Sequence, residues 1–326
     1  RLTGRCPAVQ PSTLKGIGDD AAVLDYGGRQ VLVTKDLLVE GVHFDLSYTP
    51  LKHLGYKAAI ASISDICAMK GTPGQLFVGI SVSNRFSVEA LEEFYEGLLM
   101  ACRRYGVDLA GGDTTSSKGG FFISVTVTGS VEAGKAVYRS GARPNDLICV
   151  SGDLGAAYMG LLVLEREKKV LLANPHMQPE LSGNEYILQR QLKPEARTDI
   201  VPVLDKQEIF PTSMIDISDG LASESLHLCT QSGTGCVLFE DKIPVDPQTI
   251  LACEEFGILP SIAALNGGED YELLFTVPLA DYDKVKSVPG ITVIGHMTVP
   301  EEGCHLISND GKQIPLKAQG WNHMRG

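Results

Sequence analysis

Glycine followed by an acidic residue recurs along this chain, at points where a predicted strand ends. The instances are Gly18-Asp19-Asp20, Gly111-Gly112-Asp113 and Gly267-Gly268-Glu269-Asp270. Glycine allows a tight turn and a close approach of the backbone to a ligand. A single instance also fits an ordinary turn, since Asp and Gly are common turn residues. Their repetition in both halves of the chain favours acidic side chains that act together.

Four further aspartates extend this pattern. Asp36 follows the predicted strand VLVTK, Asp65 lies in an Ala/Ser-rich predicted helix, and Asp216 and Asp219 lie in the segment IDISDG. Asp65 is the most informative, because its neighbours are apolar or small and an isolated buried charge is very costly. Its carboxylate either lies on a solvated helix face or is paired or bound to a cation.

The length of 326 residues is comfortable for two domains. A polar, Gly- and Pro-bearing segment near residues 133–146 separates two halves that each mix strands and helices. We therefore predict an α/β (α+β) protein with an N-terminal domain at 1–136 and a C-terminal domain at 137–326.

Local patterns predict individual elements. Residues 51–70 and 87–106 have helical spacing of apolar residues, and Ser87 is a good N-cap. Residues 75–83 and 121–131 are typical of strands. Residues 107–113 predict a short strand that runs into a glycine turn, and the C-terminal tail predicts irregular structure.

The charge balance narrows the classes of partner. The chain has 40 acidic and 28 basic residues, a formal net charge of −12, and no run of Lys or Arg. Nucleic acid binding is not expected, because it depends on clustered basic side chains. Scattered carboxylates suit Mg²⁺, which binds through one or two carboxylates per ion together with water and substrate phosphates.

Several common signatures are absent from the sequence. It has no P-loop, no dinucleotide fingerprint, no HExxH motif and no GxSxG motif. The eight cysteines are scattered and form no CxxC pair, so we expect reduced, buried thiols in a cytoplasmic protein. No apolar run approaches the ~20 residues of a membrane span, and no signal peptide is visible. The chain opens at Arg1, and we expect a short preceding segment.

Seven motifs in order match a known family. They are GIGDDAAVL, KDLLVEGVHF, SDICAMKGTP, LAGGDTT, RSGARPND, IDISDGL and GGEDYELLFTV. From about residue 16 to Trp321 the chain resembles thiamine-monophosphate kinases, of the aminoimidazole ribonucleotide synthetase-like superfamily. The resemblance implies two α/β domains, with the N-terminal sheet pairing across a homodimer into a β-barrel-like interface. It also implies an ATP site in a cleft between the domains.

The same resemblance implies roles for individual residues. The positions that match magnesium ligands are Asp20, Thr34, Asp36, Asp65, Asp113, Asp216 and Asp219. The positions that match ATP contacts are Tyr95, Gly112, Asp113, Arg139 and Ser218. His43, Glu269 and Trp321 match contacts to thiamine phosphate. Among these residues, Asp36, Asp65 and Asp216 are the ones we expect to carry catalysis.

Three of these positions leave alternatives open. Where the family commonly has a hydroxyl residue, this chain has Lys35, which either touches a phosphate or points away along its strand. Arg139 either binds nucleotide phosphates or is a solvated linker charge. Trp321, the one tryptophan, either stacks on a cationic or aromatic ring of the substrate or covers an apolar patch.

The resemblance implies ATP- and magnesium-dependent phosphorylation of thiamine monophosphate by direct in-line transfer. An acceptor phosphate is already anionic, so no strong general base is required. The alternatives are another ATP-dependent enzyme of the superfamily, similar to selenophosphate synthetase or aminoimidazole ribonucleotide synthetase, and a nucleotide-binding protein without catalysis. Neither a membrane nor a nucleic acid is expected as a partner.

Overall fold

The computed structural model describes residues 11–15, 19–25 and 27–318. The chain divides into two compact units, one ending at Tyr138 and the other beginning at Arg139. Cys6, Gly18 and Trp321 lie outside the described residues.

A six-stranded sheet forms the centre of the first unit. Its strands are β1 (Thr13–Lys15), β2 (Ala22–Asp25), β3 (Arg29–Val39), β4 (Thr72–Val82), β5 (Asp108–Ser116) and β6 (Phe122–Glu132). The spatial order is β1-β2-β3-β6-β4-β5. All neighbouring pairs are antiparallel except β4 and β5, which are parallel. The long β3–β6 and β4–β6 pairings fix the register of the whole sheet.

Two helices cover one face of this sheet, α1 (Leu51–Ala68) and α2 (Val88–Tyr105). They approach each other through glycines: a Cβ on Gly55 would lie 1.9 Å from the Phe94 carbonyl oxygen, and one on Gly97 would lie 1.7 Å from that of Lys52. No larger residue fits this crossing. The predicted helices and the Ser87 N-cap are confirmed, with the Ser87 hydroxyl accepting from the Ala90 N–H.

The second unit contains a seven-stranded sheet. Its strands are β7 (Leu147–Ser151), β8 (Ser213–Asp216), β9 (Gly235–Phe239), β10 (Leu273–Val277), β11 (Ile291–Thr298), β12 (Cys304–Ile307) and β13 (Gln313–Pro315). The spatial order is β13-β12-β9-β11-β7-β10-β8, and only β9 and β12 pair in parallel.

Seven helices belong to the described part of the second unit. They are α3 (Ala156–Ala173), α4 (Glu185–Leu192), α5 (Ile200–Lys206), α6 (Leu221–Ser232), α7 (Pro247–Phe256), α8 (Pro260–Asn266) and α9 (Tyr282–Lys286). One core lies between α6 and the sheet, and includes Leu228, Leu238 and Leu274. A second core joins α3, α4, α7 and α8 around Met159 and Ile187. The predicted α/β class is therefore confirmed.

Three local predictions are wrong. Gly111 and Gly112 lie inside β5 rather than in a turn, because pairing with β4 carries the strand on to Ser116. Asp36 lies within β3 rather than after it, since β6 pairs along the whole strand. The tail is not irregular throughout, because β12 and β13 extend the second sheet.

Among the described residues, no single helix is long and apolar enough to cross a bilayer; α7 and α8 reach that length and composition only as a pair bent by 103°.

Candidate functional site

Strand β3 and helix α1 bring four polar residues together in the first unit, three of which were predicted to bind magnesium. Alternation along β3 turns Thr34 and Asp36 toward the face that α1 covers. The Thr34 hydroxyl donates to the Asp65 carboxylate, and the Ser62 hydroxyl donates to Asp36 at 2.5 Å. Ser62 was not predicted, but it lies one helical turn before Asp65 and so on the same helix face.

Asp20 joins this group from the segment before β2. Its side chain is 7% exposed, and a carboxylate oxygen of Asp20 lies within 4.8 Å of one of Asp65. Two carboxylates this close repel each other unless a proton or a cation lies between them. All the polar atoms here are oxygens, the ligand type that Mg²⁺ prefers.

His43 lies beside the same group. Its Nδ1 accepts a hydrogen bond from the Val39 N–H at 3.0 Å. Burial raises the pKa of the Asp36 carboxyl above its ordinary value, although the Ser62 hydrogen bond and the nearby His43 and Lys35 oppose that shift. A carboxyl that is costly to ionise alone is well placed to bind a cation.

Lys35 points to the other side of the sheet. Because it alternates with Thr34 and Asp36, its side chain lies on the face that α1 does not cover, and its Nζ donates to Ser124 at 2.5 Å. Of the two alternatives for Lys35, this geometry agrees with a side chain that points away along the sheet.

Helix α2 and strands β4 and β5 surround a cavity of about 490 Å³. Its lining includes Tyr95, Gly112 and Asp113, three of the positions predicted to contact ATP. A Cβ on Gly112 would lie 2.2 Å from the Val78 carbonyl oxygen, so only glycine fits there. Asp113 is exposed in the edge strand β5, and its carboxylate accepts from the Thr114 N–H. Because Gly112 has no side chain, its backbone can be approached closely by a ligand in the cavity.

In the second unit, two loops carry four predicted residues. Asp216 ends β8 and is 3% exposed, and Ser218 and Asp219 follow it. Glu269 lies in the loop before β10. The Glu269 N–H donates to the Ser218 carbonyl at 2.8 Å, and the Tyr271 N–H donates to that of Ile217 at 2.9 Å. These hydrogen bonds place Ser218 and Glu269 side by side.

The loop of Glu269 has an unusual backbone. Glu269 and Tyr271 have φ values of 65° and 52°, in the left-handed region that side chains rarely adopt. A Cβ on Gly268 would lie 2.2 Å from the Ser218 carbonyl oxygen. Such strain persists only where the surroundings enforce it, and it is common at functional sites.

A buried ionic network that the sequence did not predict holds this loop. Arg190 of α4 donates to the Glu272 carboxylate at 2.9 Å and to the Asp270 carbonyl at 3.2 Å. Asp270 accepts from the Gly155 N–H at 2.8 Å. The neighbouring Gln191 donates to Glu269 at 3.0 Å. Sequence spacing gives no sign of these contacts, because α4 lies about 80 residues from the loop in the chain.

Glu224 holds the other loop. It is 2% exposed, and one carboxylate oxygen accepts from the Asp219 N–H at 3.0 Å. Burial raises the pKa of Glu224 to about 8, partly offset by that hydrogen bond. The signal for it was present in the sequence, since an acidic residue in the first turns of a helix commonly bonds the preceding backbone.

Arg139 and Trp321 were also predicted to contact ligands. Arg139 is half-buried at the start of the second unit, where its carbonyl accepts from the Ser232 hydroxyl. Trp321 lies outside the described residues, so its role stays a prediction.

Comparison with known proteins defines the class. The family of AIR synthase related proteins, N-terminal domain, matches residues 18–131. A protein of Aquifex aeolicus named thiamine-monophosphate kinase is 36% identical, covering 95% of this chain and 93% of the relative. One of Bacillus subtilis with the same name is 33% identical, covering 95% and 93%.

Solved structures agree with this assignment. A structure of AaThiL complexed with AMPPCP and TMP has a TM-score of 0.81 and 34% identity, covering 94% of this chain and 91% of that one. Residues 18–131 thus form a domain of the AIR synthase related class, within an α/β protein. The chain as a whole belongs to the thiamine-monophosphate kinase family.

Proposed function

We propose that this protein transfers the γ-phosphoryl group of ATP to the phosphate of thiamine monophosphate, which yields thiamine diphosphate. The observation that carries the proposal is near full-length similarity to AaThiL, whose solved structure contains AMPPCP and TMP. AMPPCP is an ATP analogue, so that structure pairs a nucleotide with a thiamine phosphate acceptor. The polar groups described above supply the chemistry that such a reaction requires.

Magnesium is the cation that the acidic groups fit. Asp20, Asp65, Thr34 and Asp36 are hard oxygen donors held on one sheet face, with two of the carboxylates within 4.8 Å. Asp113, Asp216 and Asp219 are proposed to supply further ligands. When bound, magnesium supplies the positive charge that allows two polyanionic phosphates to approach each other.

The nucleotide is proposed to bind through Tyr95, Gly112, Asp113, Arg139 and Ser218. The cavity beside β5 supports the first three of these assignments, because it groups a phenol ring, an uncovered backbone and a carboxylate. A backbone without a side chain at Gly112 lets N–H groups approach phosphate oxygens closely.

The acceptor is proposed to bind through His43, Glu269 and Trp321. The His43 ring lies near the Asp36 carboxylate and accepts from the Val39 N–H, which holds it beside the proposed magnesium ligands, where the acceptor phosphate would bind. Glu269 carries negative charge that suits the cationic thiazolium ring. The chemistry then needs alignment rather than a base, since the attacking phosphate oxygen is already anionic.

A homodimer and a cytoplasmic location complete the proposal. Leu37, Phe77 and Phe122 are 61%, 41% and 41% exposed on the sheet face that carries Lys35, and such an apolar face suits an interface between subunits. None of the seven described cysteines forms a disulfide, which is typical of a reducing compartment.

A panel of phosphate acceptors offered with ATP and Mg²⁺ tests the activity. We expect mass spectrometry to detect thiamine diphosphate and ADP in equal amounts, with no product from thiamine itself. Release of ADP without thiamine diphosphate, or transfer only to another acceptor, would contradict the proposal. Omission of Mg²⁺ is the control and should abolish product.

A further inference from the structure

Three cysteines that are distant in the sequence meet in the second unit. Cys229 lies in α6, Cys236 in β9 and Cys304 in β12. Their sulphur atoms all lie within 4.8 Å of one another. The remaining described cysteines do not join this group. The three thiols thus form a cluster that their spacing in the sequence does not predict.

The fold dictates where two of the sulphurs lie. Strands β9 and β12 are parallel neighbours, and Cys236 is directly opposite Cys304 in their register. Side chains at paired positions of adjacent strands emerge on the same face of the sheet. Helix α6 packs against that same face, so Cys229 of α6 lies next to the two strand cysteines.

Hydrogen bonds fix the backbone of all three residues. The Cys236 N–H donates to the Gly303 carbonyl at 3.0 Å, the Leu316 N–H donates to the Cys304 carbonyl at 2.9 Å, and the Thr234 N–H donates to the Cys229 carbonyl at 3.0 Å. A Cβ on Gly235 would lie 2.3 Å from the Gly303 carbonyl oxygen, which keeps this corner tightly packed. The cluster is therefore arranged before any ligand arrives.

The three cysteines differ in their exposure to solvent. Cys236 is fully buried and Cys229 is 4% exposed, whereas Cys304 is only partly buried. A small ion can reach the cluster past Cys304, while the two inner sulphurs are shielded from water. Among the described residues, no His, Asp or Glu joins the group as a fourth ligand.

We propose that Cys229, Cys236 and Cys304 form a binding site for one thiophilic d¹⁰ metal ion, of the Cu⁺ or Zn²⁺ kind. Sulphurs are the ligands that such ions select. With metal–sulphur bonds of ~2.3 Å, three ligands around one ion lie about 4 Å apart, which is compatible with sulphurs that all lie within 4.8 Å of one another. Binding releases the thiol protons to solvent as the thiolates bind the ion, and neither sulphur nor metal changes its oxidation state.

This site is separate in chemistry from the acidic groups proposed for magnesium. Sulphur ligands disfavour Mg²⁺, and oxygen ligands without nitrogen or sulphur are poor partners for Cu⁺. The cluster therefore predicts metal binding that neither ATP nor excess Mg²⁺ displaces.

The test titrates the full, reduced chain, freed of transition metals and held in excess Mg²⁺ to occupy the acidic groups, with Zn²⁺ and, under anaerobic conditions, with Cu⁺. We expect one ion per chain by native mass spectrometry, with a sulphur-to-metal charge-transfer band. Cys304→Ser should weaken binding at least tenfold. Cys149→Ser is the matched control, because Cys149 is a buried cysteine outside the cluster, and it should bind like the unaltered chain.

A second measurement needs no substitution. Bound metal should slow alkylation of Cys304 at least tenfold, as followed by peptide mass spectrometry. The proposal is overturned if neither ion binds stoichiometrically, if Cys304→Ser binds as tightly as the unaltered chain, or if Mg²⁺ with ATP displaces the ion. Unchanged alkylation in the presence of metal overturns it as well.

Discussion

At the scale of single residues, the site depends on positions where only one side chain is tolerated. Gly112 is the clearest, since any Cβ would collide with the Val78 carbonyl oxygen at 2.2 Å. Gly268 is similar against Ser218. Both glycines are recognisable from the sequence as part of acidic motifs, but the atom that excludes a side chain is not, because it belongs to a distant segment.

Gly112→Ala tests whether glycine is required at this position in the cavity proposed to bind the nucleotide. The added methyl group forces β5 away from β4, and overpacking of this kind costs about 1–3 kcal/mol. We expect lower stability in urea and at least a tenfold rise in the KM for ATP.

Gly119→Ala is the control for that change. Gly119 lies in the loop after β5, where a Cβ would meet nothing within 4 Å. Its stability and KM should be unchanged. Equal effects of the two substitutions would show that the collision at Gly112 does not matter.

Asp270 gives a prediction about pH. Burial raises its pKa from 3.8 to about 7, although Arg190 opposes the shift and Glu272 adds to it. A carboxyl with a raised folded-state pKa contributes stability below its unfolded pKa, and this contribution is lost as the pH rises toward 7.

Comparison with Asp270→Asn isolates that effect. Between pH 5 and pH 7.5, the free energy of unfolding of the unaltered chain should fall relative to that of the variant, with a limiting slope of about 1.4 kcal/mol per pH unit. Urea denaturation at several pH values provides the measurement. A difference that stays constant over this range would mean that Asp270 is ionised throughout.

At the scale of elements, helices were predicted better than strand ends. Apolar spacing and a capping residue lie within each helix, so the sequence contains the signal for α1 and α2. The lengths of β3 and β5 depend on pairing with β6 and β4, which are remote in sequence. Hence Asp36 and Gly112 were expected beside strands but lie inside them.

The same limit applies to the candidate site. The residues themselves could be named from motifs, and Asp65 could be inferred to need a partner. Two hydrogen bonds could not be predicted, because they form only when β3 packs against α1. In one the Thr34 hydroxyl donates to Asp65, and in the other the Ser62 hydroxyl donates to Asp36. The supporting network of α4 has no local sequence signal at all.

Helix α4 makes an element-scale prediction through Arg190. Removing one partner from a buried ionic network costs about 3–5 kcal/mol, because the other charges lose compensation. Arg190→Met should therefore lose about that much stability in urea. It should also raise the KM for thiamine phosphate, since Gln191 and Arg190 hold the loop that carries Glu269.

Arg166→Met is the matched control. Arg166 is paired with Glu255 on α7, but its side chain is 31% exposed, against 13% for Arg190. Ion pairs nearer the surface contribute about 0–1 kcal/mol. If both variants lose the same stability, burial of the Arg190 network is not what matters.

At the scale of the whole molecule, the uncovered face of the first sheet predicts self-association. Lys35, Leu37, Phe77 and Phe122 share that face by strand register. Helices α1 and α2 already cover the opposite face. We expect the chain to sediment as a dimer, and Leu37→Glu with Phe77→Glu to shift it to monomer.

Leu172→Glu is the control for the dimer. Leu172 is 74% exposed near the end of α3, in the second unit. Its substitution should leave sedimentation unchanged. A monomeric unaltered chain, or a double variant that stays dimeric, would contradict the assignment of this face.

We propose that aspartates bind the magnesium that brings two phosphates together. Turnover measured against free Mg²⁺, at saturating ATP and thiamine phosphate, tests it most directly with Asp65→Asn and the exposed control Asp108→Asn. We expect Asp65→Asn to lose at least ~100-fold in turnover and to require more Mg²⁺, while Asp108→Asn stays within about twofold. Unchanged turnover and Mg²⁺ dependence in Asp65→Asn would contradict it.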